Sequence, residues 1–280
     1  MRIGLVTDSP SDLPADLIER YQIEVVPAIL VLEGQSYLDG LEITREAFYT
    51  RLPALRSAPT TAAPAQAVFA GYYRKLLARG CEHVIGIFTA EKLTSIANIA
   101  RSAALEFSGQ VSVLESGSLS MGIGYQVLAA AEAIEQGLGL PEALAAIQST
   151  RERLRIYAAL DTVEYLRRSG RVPQAVATLG GMLSIKPVVE LREGAVRALG
   201  APRTTSKATE KLRSLLVELG ALESLSILHT NAEKRASEFL ERLTASLGAG
   251  LPADIRIVNV TTVIGTHVGP NGLGLAVVKR

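Results

Sequence analysis

The sequence has little cysteine, few histidines and no excess of charge of either sign. Cys81 is the only cysteine among 280 residues, so no disulfide can form within the chain. The three histidines are far apart and give no cluster with the ligand spacing of a zinc site. Lysine and arginine number 29 against 28 aspartate and glutamate, so the formal net charge of +1 is too small to attract nucleic acid or an anionic membrane. We therefore expect a cytoplasmic protein without a metal and without a nucleic acid partner.

Long apolar runs are also absent. The most apolar stretch, residues 125–147, is interrupted by three glutamates and Pro141, whereas a membrane-spanning helix needs about 20 predominantly apolar residues. The apolar run at residues 1–6 is shorter than the core of a secretion signal. Hydrophobic residues nevertheless make up 48% of the chain, which is enough for a sizeable core. These patterns predict a folded protein with no integral membrane association.

The order of the predicted elements indicates an α/β fold with two domains. In residues 1–155, strands are predicted at 2–6, 83–88 and 111–114, and helices at 64–78, 94–107 and 119–136. This alternation favours a parallel βαβ sheet with binding chemistry beyond the carboxyl ends of its strands. In residues 156–280 the order changes to an α+β pattern, with a hairpin around Glu193 and Gly194. Helices are predicted there at residues 162–168, 174–182, 206–219 and 231–247.

The glycines give no nucleotide-binding motif. Gly122 and Gly124 have the spacing of the first two glycines of a dinucleotide loop, but Val127 takes the third position. The segment also does not follow the first strand, as that motif requires. No Gly-x4-Gly-Lys-Ser/Thr sequence is present, so a P-loop is excluded. We therefore expect no cofactor.

Ser120 is the basis of an alternative function. It lies in the sequence Ser-Leu-Ser-Met-Gly between a predicted strand and a predicted helix. Only Ser118, in place of a glycine, separates this segment from the Gly-x-Ser-x-Gly motif of serine hydrolases. His229 or His267 would then be the base, and Asp254 would orient it. On this interpretation the protein is an enzyme, and an organophosphate would label Ser120 covalently.

Hydroxyl side chains follow the predicted strands at two places. Thr61 lies in the polar loop at residues 57–64, and Thr94 stands ahead of a predicted helix. Hydroxyls and unpaired N–H groups at a helix start are donors suited to a carboxylate or a phosphate. The structural alternative is that Thr94 caps its helix, as Ser9 and Asp12 are predicted to do after the first strand.

Two further side chains lie beside glycines. His267 is in residues 265–274, whose glycines allow a close backbone approach, and a histidine there can pair with an anion. A glycine-rich turn without a ligand is the alternative. Arg171 follows Gly170 and stands apart from the arginine pair that ends the preceding predicted helix. A merely solvated arginine is the alternative for Arg171.

Taken together, these segments resemble the DegV family. The similar segments follow the family's order and spacing and cover nearly the whole chain. They are residues 7–13 (Thr-Asp-Ser-Pro-Ser-Asp-Leu), 37–40 (Tyr-Leu-Asp-Gly), 60–61 (Thr-Thr), 93–94 (Leu-Thr), 116–124, 162–171, 183–187 (Leu-Ser-Ile-Lys-Pro) and 265–270 (Gly-Thr-His-Val-Gly-Pro).

The resemblance implies a two-domain α/β protein that holds one long-chain fatty acid in an apolar tunnel between its domains and has no catalytic activity alone. In bacterial fatty acid kinase systems, such a subunit presents the carboxylate to a separate kinase subunit, which transfers the phosphoryl group. The resemblance further implies that Thr61, Thr94 and His267 contact the carboxylate. It implies that Arg171 is needed for presentation to the kinase.

The chain departs from the family pattern beside these residues. Ile96 stands where the family usually has a threonine, and Asn271 stands where it commonly has a glycine. The family usually has Thr-Ser-Gln-Pro where this chain has Thr-Thr-Ala-Ala at residues 60–63. We expect these changes to alter the geometry around the head group or the preference for an acyl chain.

Overall fold

A computed structural model describes residues 1–170 and 185–280 of the chain. The described residues form three β-sheets and the helices that cover them. The strands are β1 (Ile3–Asp8), β2 (Glu24–Val26), β3 (Ile29–Leu32), β4 (Gln35–Leu38), β5 (Thr60–Ala62), β6 (His83–Phe88), β7 (Val111–Glu115), β8 (Leu154–Ala159), β9 (Val188–Arg192), β10 (Ala195–Gly200), β11 (Leu222–His229), β12 (Ile255–Asn259) and β13 (Leu273–Lys279). The helices are α1 (Ala15–Arg20), α2 (Arg45–Arg51), α3 (Gln66–Ala78), α4 (Ile96–Ala104), α5 (Met121–Glu135), α6 (Leu140–Arg153), α7 (Glu164–Arg168), α8 (Thr205–Glu218), α9 (Glu233–Leu247) and α10 (Thr262–Val268).

The first sheet has four strands in the order β2-β1-β6-β7, and all its neighbouring strands are parallel. Every residue of β1 and β6 is buried, because helices cover both faces of the sheet. α3 and α4 pack on one face around Phe69 and Phe88. α5 and α6 pack on the other face around Ile87 and Val127. The predicted parallel sheet is therefore confirmed.

The second sheet has six strands in the order β10-β9-β8-β13-β11-β12. β11 and β12 are parallel, and the four other neighbouring pairs are antiparallel. α8 and α9 cover one face around Leu212, Phe239 and Leu275. This mixed sheet confirms the α+β pattern of the second part of the chain. The boundary at residue 155 stays a prediction.

α5 lies between the two large sheets. Its Ile123 and Val127 pack in the core of the parallel sheet, and its Met121 packs with residues of the mixed sheet. The hydroxyl group of Tyr125 forms a hydrogen bond of 2.6 Å with Ser226 of β11. A helix that is buried on opposite sides needs apolar residues around most of its circumference. This position explains why the sequence is most apolar from residue 125 onward.

A small antiparallel sheet in the order β4-β3-β5 was not predicted from the sequence. Its residue Leu30 packs against Phe48 and Tyr49 of α2. α10 contacts β3, β5 and α2. Because α10 follows β12 of the mixed sheet, this contact joins the late part of the chain to the early part.

Local structure confirms one predicted turn and corrects one predicted cap. Glu193 and Gly194 have φ values of 50° and 70° between β9 and β10, as a two-residue hairpin turn with two left-handed residues requires. Residues Ser9–Ser11 form a single 3₁₀ turn, and α1 begins only at Ala15. The Ser9 hydroxyl accepts a hydrogen bond from the backbone N–H of Ala28 instead of capping a helix. The predicted capping box is therefore wrong, because tertiary contacts use these side chains.

Two other predictions concern the later part of the chain. The glycine-rich turn considered for residues 265–274 begins only after Val268, because α10 extends to that residue. The helix predicted at residues 174–182 lies outside the described residues. Within residues 1–170 and 185–280, no helix is long and apolar enough to cross a membrane.

Candidate functional site

A cavity of about 340 Å³ lies between elements of the early part of the chain and the mixed sheet. This volume is within the range of small-molecule sites, roughly 300–1,000 Å³. Much of its lining is aliphatic and comes from strands of the mixed sheet, the start of α5 and α10. The aliphatic lining residues include Leu119, Ile156, Leu191, Leu228, Val260 and Leu273. Such a surface favours an apolar ligand, because apolar area is removed from water when the ligand binds.

Thr61, Thr94 and His267 all line this cavity. Thr61 lies in strand β5 and not in the predicted loop, because it pairs with Leu30 of β3. The segment between β6 and α4 carries Thr94, and α10 carries His267. Thr61 Oγ1 and His267 Nε2 are 3.2 Å apart and form a hydrogen bond. The fold thus brings the three predicted residues, which are far apart in the sequence, to one cavity. Hydroxyls and an imidazole can together hydrogen-bond a carboxylate or another polar head group.

Thr94 does not cap the helix that follows it. α4 begins at Ile96, its N-cap residue is Ser95, and no side chain makes a cap hydrogen bond there. The backbone N–H of Thr94 donates to the carbonyl of Ala90 at 3.2 Å. The capping interpretation of Thr94 is therefore wrong, and its side chain lies in the cavity lining.

Two buried carboxyl groups lie directly behind hydroxyls of the cavity lining. Asp8 Oδ2 accepts hydrogen bonds from the backbone N–H of Thr89 at 3.0 Å and from its hydroxyl at 2.6 Å. Asp12 Oδ2 accepts a hydrogen bond of 2.5 Å from the hydroxyl of Ser120. Both Thr89 and Ser120 line the cavity. The polar part of the cavity therefore has a second layer of acidic groups.

Burial sets the protonation of these carboxyl groups. It raises the pKa of Asp8 to about 6, although hydrogen bonds from Thr89 act in the opposite direction. Burial also raises the pKa of Asp12 to about 6, against the lowering effects of Arg45 and of the hydrogen bond from Ser120. Despite these carboxylates, the part of the chain that the structure describes holds no group of three or more histidine, cysteine or acidic side chains that could hold a metal ion.

The hydrogen bonds around Ser120 do not support the serine hydrolase alternative. Ser120 is fully buried and donates to Asp12 rather than to a histidine. Nδ1 of His229 accepts the backbone N–H of Ala232 at 3.1 Å, and burial lowers the pKa of this imidazole. His267 is bonded to Thr61, and Asp254, the proposed orienting acid, is exposed and paired with Arg256.

The structure shows where Ile96 and Asn271, two departures from the family pattern, lie. Ile96 lines the cavity and is buried, so it adds apolar surface close to Thr94. Asn271 has φ of 62°, a left-handed conformation that glycine adopts readily and that asparagine tolerates better than most residues. Asn271 can therefore keep the turn after α10. Arg171 lies outside the described residues, and its role stays a prediction.

The sequence analysis missed the structural importance of Asp12, Asp39 and Arg45. Arg45 forms an ion pair of 3.2 Å with Asp12, and Asp39 accepts a hydrogen bond of 2.7 Å from the Thr262 hydroxyl. The sequence signal for Asp12 is its position after the first predicted strand, where it is predicted to close a capping box. Sequence alone does not show its hydrogen bond to Thr261, which is 249 residues away.

The chain is similar to one protein family along almost its whole length. A family model described as "Uncharacterised protein, DegV family" matches residues 2–280. A DegV domain-containing protein of Streptomyces coelicolor is 34% identical over 280 residues, covering 99% of both chains. The chain belongs to the DegV family. The predicted family membership is therefore confirmed.

Solved DegV structures have the same fold. A DegV family protein from Thermus thermophilus, described with fatty acid binding, is 34% identical with a TM-score of 0.91, and the match covers 100% of both chains. A Thermotoga maritima protein, described as having a fatty acid binding function, is 26% identical with a TM-score of 0.87 over 100% of both chains. These similarities confirm the predicted α/β fold of this DegV protein.

Proposed function

We propose that this DegV protein binds one long-chain fatty acid in the cavity between its two large sheets and presents the carboxylate to a separate kinase subunit. The observation that carries the proposal is one cavity with an aliphatic lining and with Thr61, Thr94 and His267 among its polar residues. The fatty acid binding described for its relatives from Thermus thermophilus and Thermotoga maritima supports the same ligand class.

The apolar lining can account for tight binding. Burial of one methylene group contributes about 0.8 kcal/mol, so a chain of about fifteen methylenes gains on the order of 12 kcal/mol before the costs of association. This gain requires no covalent bond between ligand and protein. We therefore propose a lipid-binding protein that needs no cofactor and catalyses no reaction alone.

The polar residues fit a carboxylate that must remain reactive. A carboxylate taken out of water needs hydrogen-bond donors, since an ionised group without partners takes up a proton instead. The hydroxyls of Thr61 and Thr94 can donate such bonds without adding a charge, and His267 lies next to Thr61. A tight arginine clamp would reduce the nucleophilicity of the carboxylate. In this proposal no arginine binds the head group in the resting complex.

We assign Arg171 to the phosphorylation step. A guanidinium close to the reacting groups would stabilise the negative charge that develops on the acyl phosphate or on the nucleotide of the kinase. The kinase subunit would supply the nucleotide and the catalytic groups, and we propose that both proteins act in the cytoplasm. Arg171 would then affect phosphorylation without affecting lipid retention.

Two substitutions separate binding from presentation. Thr94→Val should weaken retention of palmitate or oleate about ten- to a hundredfold, because a hydrogen bond to a charged group contributes roughly 1.5–3 kcal/mol. Arg171→Ala should retain lipid as well as the wild type does but lose most of its phosphorylation when a fatty acid kinase subunit and ATP are added. Retention is measured with radiolabelled fatty acid, and phosphorylation is measured as acyl phosphate formed.

Thr60→Val is the matched control, because Thr60 is exposed and its neighbour Thr61 is the residue that lines the cavity. It should behave like the wild type in both assays. Unchanged retention in Thr94→Val would contradict the assignment of the carboxylate, and full phosphorylation in Arg171→Ala would contradict the role in presentation.

A further inference from the structure

We propose that Asp12 and Asp39 are positioning residues that anchor the start of α10 and thereby hold His267 next to Thr61 at the head-group site. The inference rests on the proposed function, in which His267 contacts the head group of the fatty acid. It assigns a role to two buried acidic side chains that do not line the cavity.

Asp12 joins the beginning of α10 to the early part of the chain. Its Oδ1 accepts a hydrogen bond of 2.8 Å from the backbone N–H of Thr261, the N-cap residue of α10. Its Oδ2 accepts from Ser120, and the guanidinium of Arg45 lies 3.2 Å from Oδ1. Asp12 also has φ of 55°, a conformation that costs free energy in a residue with a side chain. The tertiary contacts of its carboxylate compensate for that cost.

Asp39 holds the next residue of the same helix. Its Oδ1 accepts a hydrogen bond of 2.7 Å from the hydroxyl of Thr262. Its own backbone N–H donates to the carbonyl of Ala28 at 2.9 Å, which fixes Asp39 beside the small sheet. Two carboxylates from separate loops therefore bind two consecutive residues, Thr261 and Thr262.

His267 lies in the same short helix as Thr262, so contacts at the start of α10 affect its position. A Cβ atom at Gly265 would lie 2.5 Å from the hydroxyl oxygen of Tyr49, so the middle of the helix is in close contact with α2. One turn of helix is 3.6 residues, so His267 lies little more than one turn beyond Thr262. Because the helix is so short, a shift of its first residues would also displace His267 and disturb the hydrogen bond between His267 and Thr61.

The charges of Asp12 and Asp39 are only partly balanced by their surroundings. Arg45 faces both Asp12 and Asp39, and Asp8 lies close enough to Asp39 for the two carboxyl groups to disfavour each other's ionisation. Tyr49 and His229 are further titratable groups near Arg45. Buried carboxylates are costly to keep in a core. Their bonds to the helix that carries His267 give these groups a positioning role beyond core packing.

The test uses three substitutions in α10. Thr262→Val removes the hydroxyl that reaches Asp39, and Thr262→Ser restores a hydroxyl at the same place. Thr266→Val is the matched control, because its buried hydroxyl donates a hydrogen bond to the carbonyl of Thr262 within the same helix. The readouts are the nuclear Overhauser effect between the Thr61 methyl and the His267 ring in methyl-labelled protein, and the dissociation constant for oleate.

We expect Thr262→Val to lose most of this Overhauser effect and to weaken oleate binding about three- to tenfold. Thr262→Ser and Thr266→Val should keep the effect and stay within twofold of wild-type affinity. An unchanged effect in Thr262→Val, or an equal loss in Thr266→Val, would overturn the inference. The two proposals can fail separately: a wild-type protein that binds no oleate refutes the proposed function, whereas the Overhauser effect still reports whether the anchor positions His267.

Discussion

The buried carboxyl group of Asp8 makes the unfolding free energy of the protein depend on pH. It lies at the end of β1, and its environment raises its pKa to about 6 through burial. The folded protein therefore binds this proton at a higher pH than the unfolded chain does. Protonation of Asp8 therefore stabilises the folded state. This contribution to the unfolding free energy is fully present below the ordinary pKa of an aspartate and is lost as pH rises through about 6.

Asp8→Asn should remove this part of the pH dependence. We expect the fall in unfolding free energy between pH 4.5 and pH 7.5 to be smaller in the variant by about 1–3 kcal/mol. The measurement is urea unfolding at both pH values. Comparing the change with pH, rather than stability at one pH, cancels the constant cost of the new amide group.

Asp254→Asn is the control, because Asp254 is an exposed aspartate. It should keep the wild-type change in unfolding free energy with pH. An equally steep change in Asp8→Asn and in the wild type would show that Asp8 does not titrate in this range.

At the residue scale, the sequence predicts which residues are candidates for the site more readily than it predicts their hydrogen-bond partners. Hydroxyls identify Thr61 and Thr94 as candidates, but only Thr94 follows a parallel strand, β6, at the edge of the sheet where such strands end. Thr61 lies within β5 of the small antiparallel sheet. The same reasoning placed Asp12 in a local cap. Its partners Ser120 and Thr261 are 108 and 249 residues away, and only the folded chain brings them together.

At the scale of elements, α5 shows why glycine is required where two sheets approach one helix. A Cβ atom at Gly122 would lie 2.0 Å from Ser118 Oγ and 2.9 Å from Cδ1 of Ile156 in β8. The serine side chain can rotate, but Ile156 is buried in the core between α5 and the mixed sheet. Gly122, which has the spacing of a nucleotide loop in the sequence, therefore serves close packing.

Gly122→Ala should destabilise the protein by about 1–3 kcal/mol, because the added methyl group overpacks this contact. Gly71→Ala is the matched control: Gly71 lies in α3, and a Cβ atom there meets no other group within 4 Å. It should stabilise the protein by about 0.5–1 kcal/mol through helix propensity. Urea midpoints measure both changes, and equal effects of the two substitutions would contradict the packing role of Gly122.

The sequence predicts most large elements of this molecule but not all of its sheets. Continuous apolar runs such as β6 have a pattern typical of a strand covered on both faces. β3 and β5 are short, and one residue of β5 is half-buried while the other two are exposed. Such a strand has no periodic pattern to detect, so the small sheet that carries Thr61 could not be predicted.

At the scale of the whole molecule, the cavity depends on the way the two large sheets and α10 meet. α5 separates the sheets over part of their area, and α10 crosses from the mixed sheet to the small sheet. The space left beside them is the apolar cavity that contains Thr61, Thr94 and His267 in its lining. The central claim is that one long-chain fatty acid occupies this space.

Mass spectrometry of the lipid carried by the purified protein tests this claim most directly. The protein is isolated without detergent, and one portion is extracted with solvent while another is incubated with labelled palmitate or oleate. The account predicts one long-chain fatty acid per chain, already bound or taken up on incubation. A protein that yields no lipid on extraction and takes up neither fatty acid would contradict it.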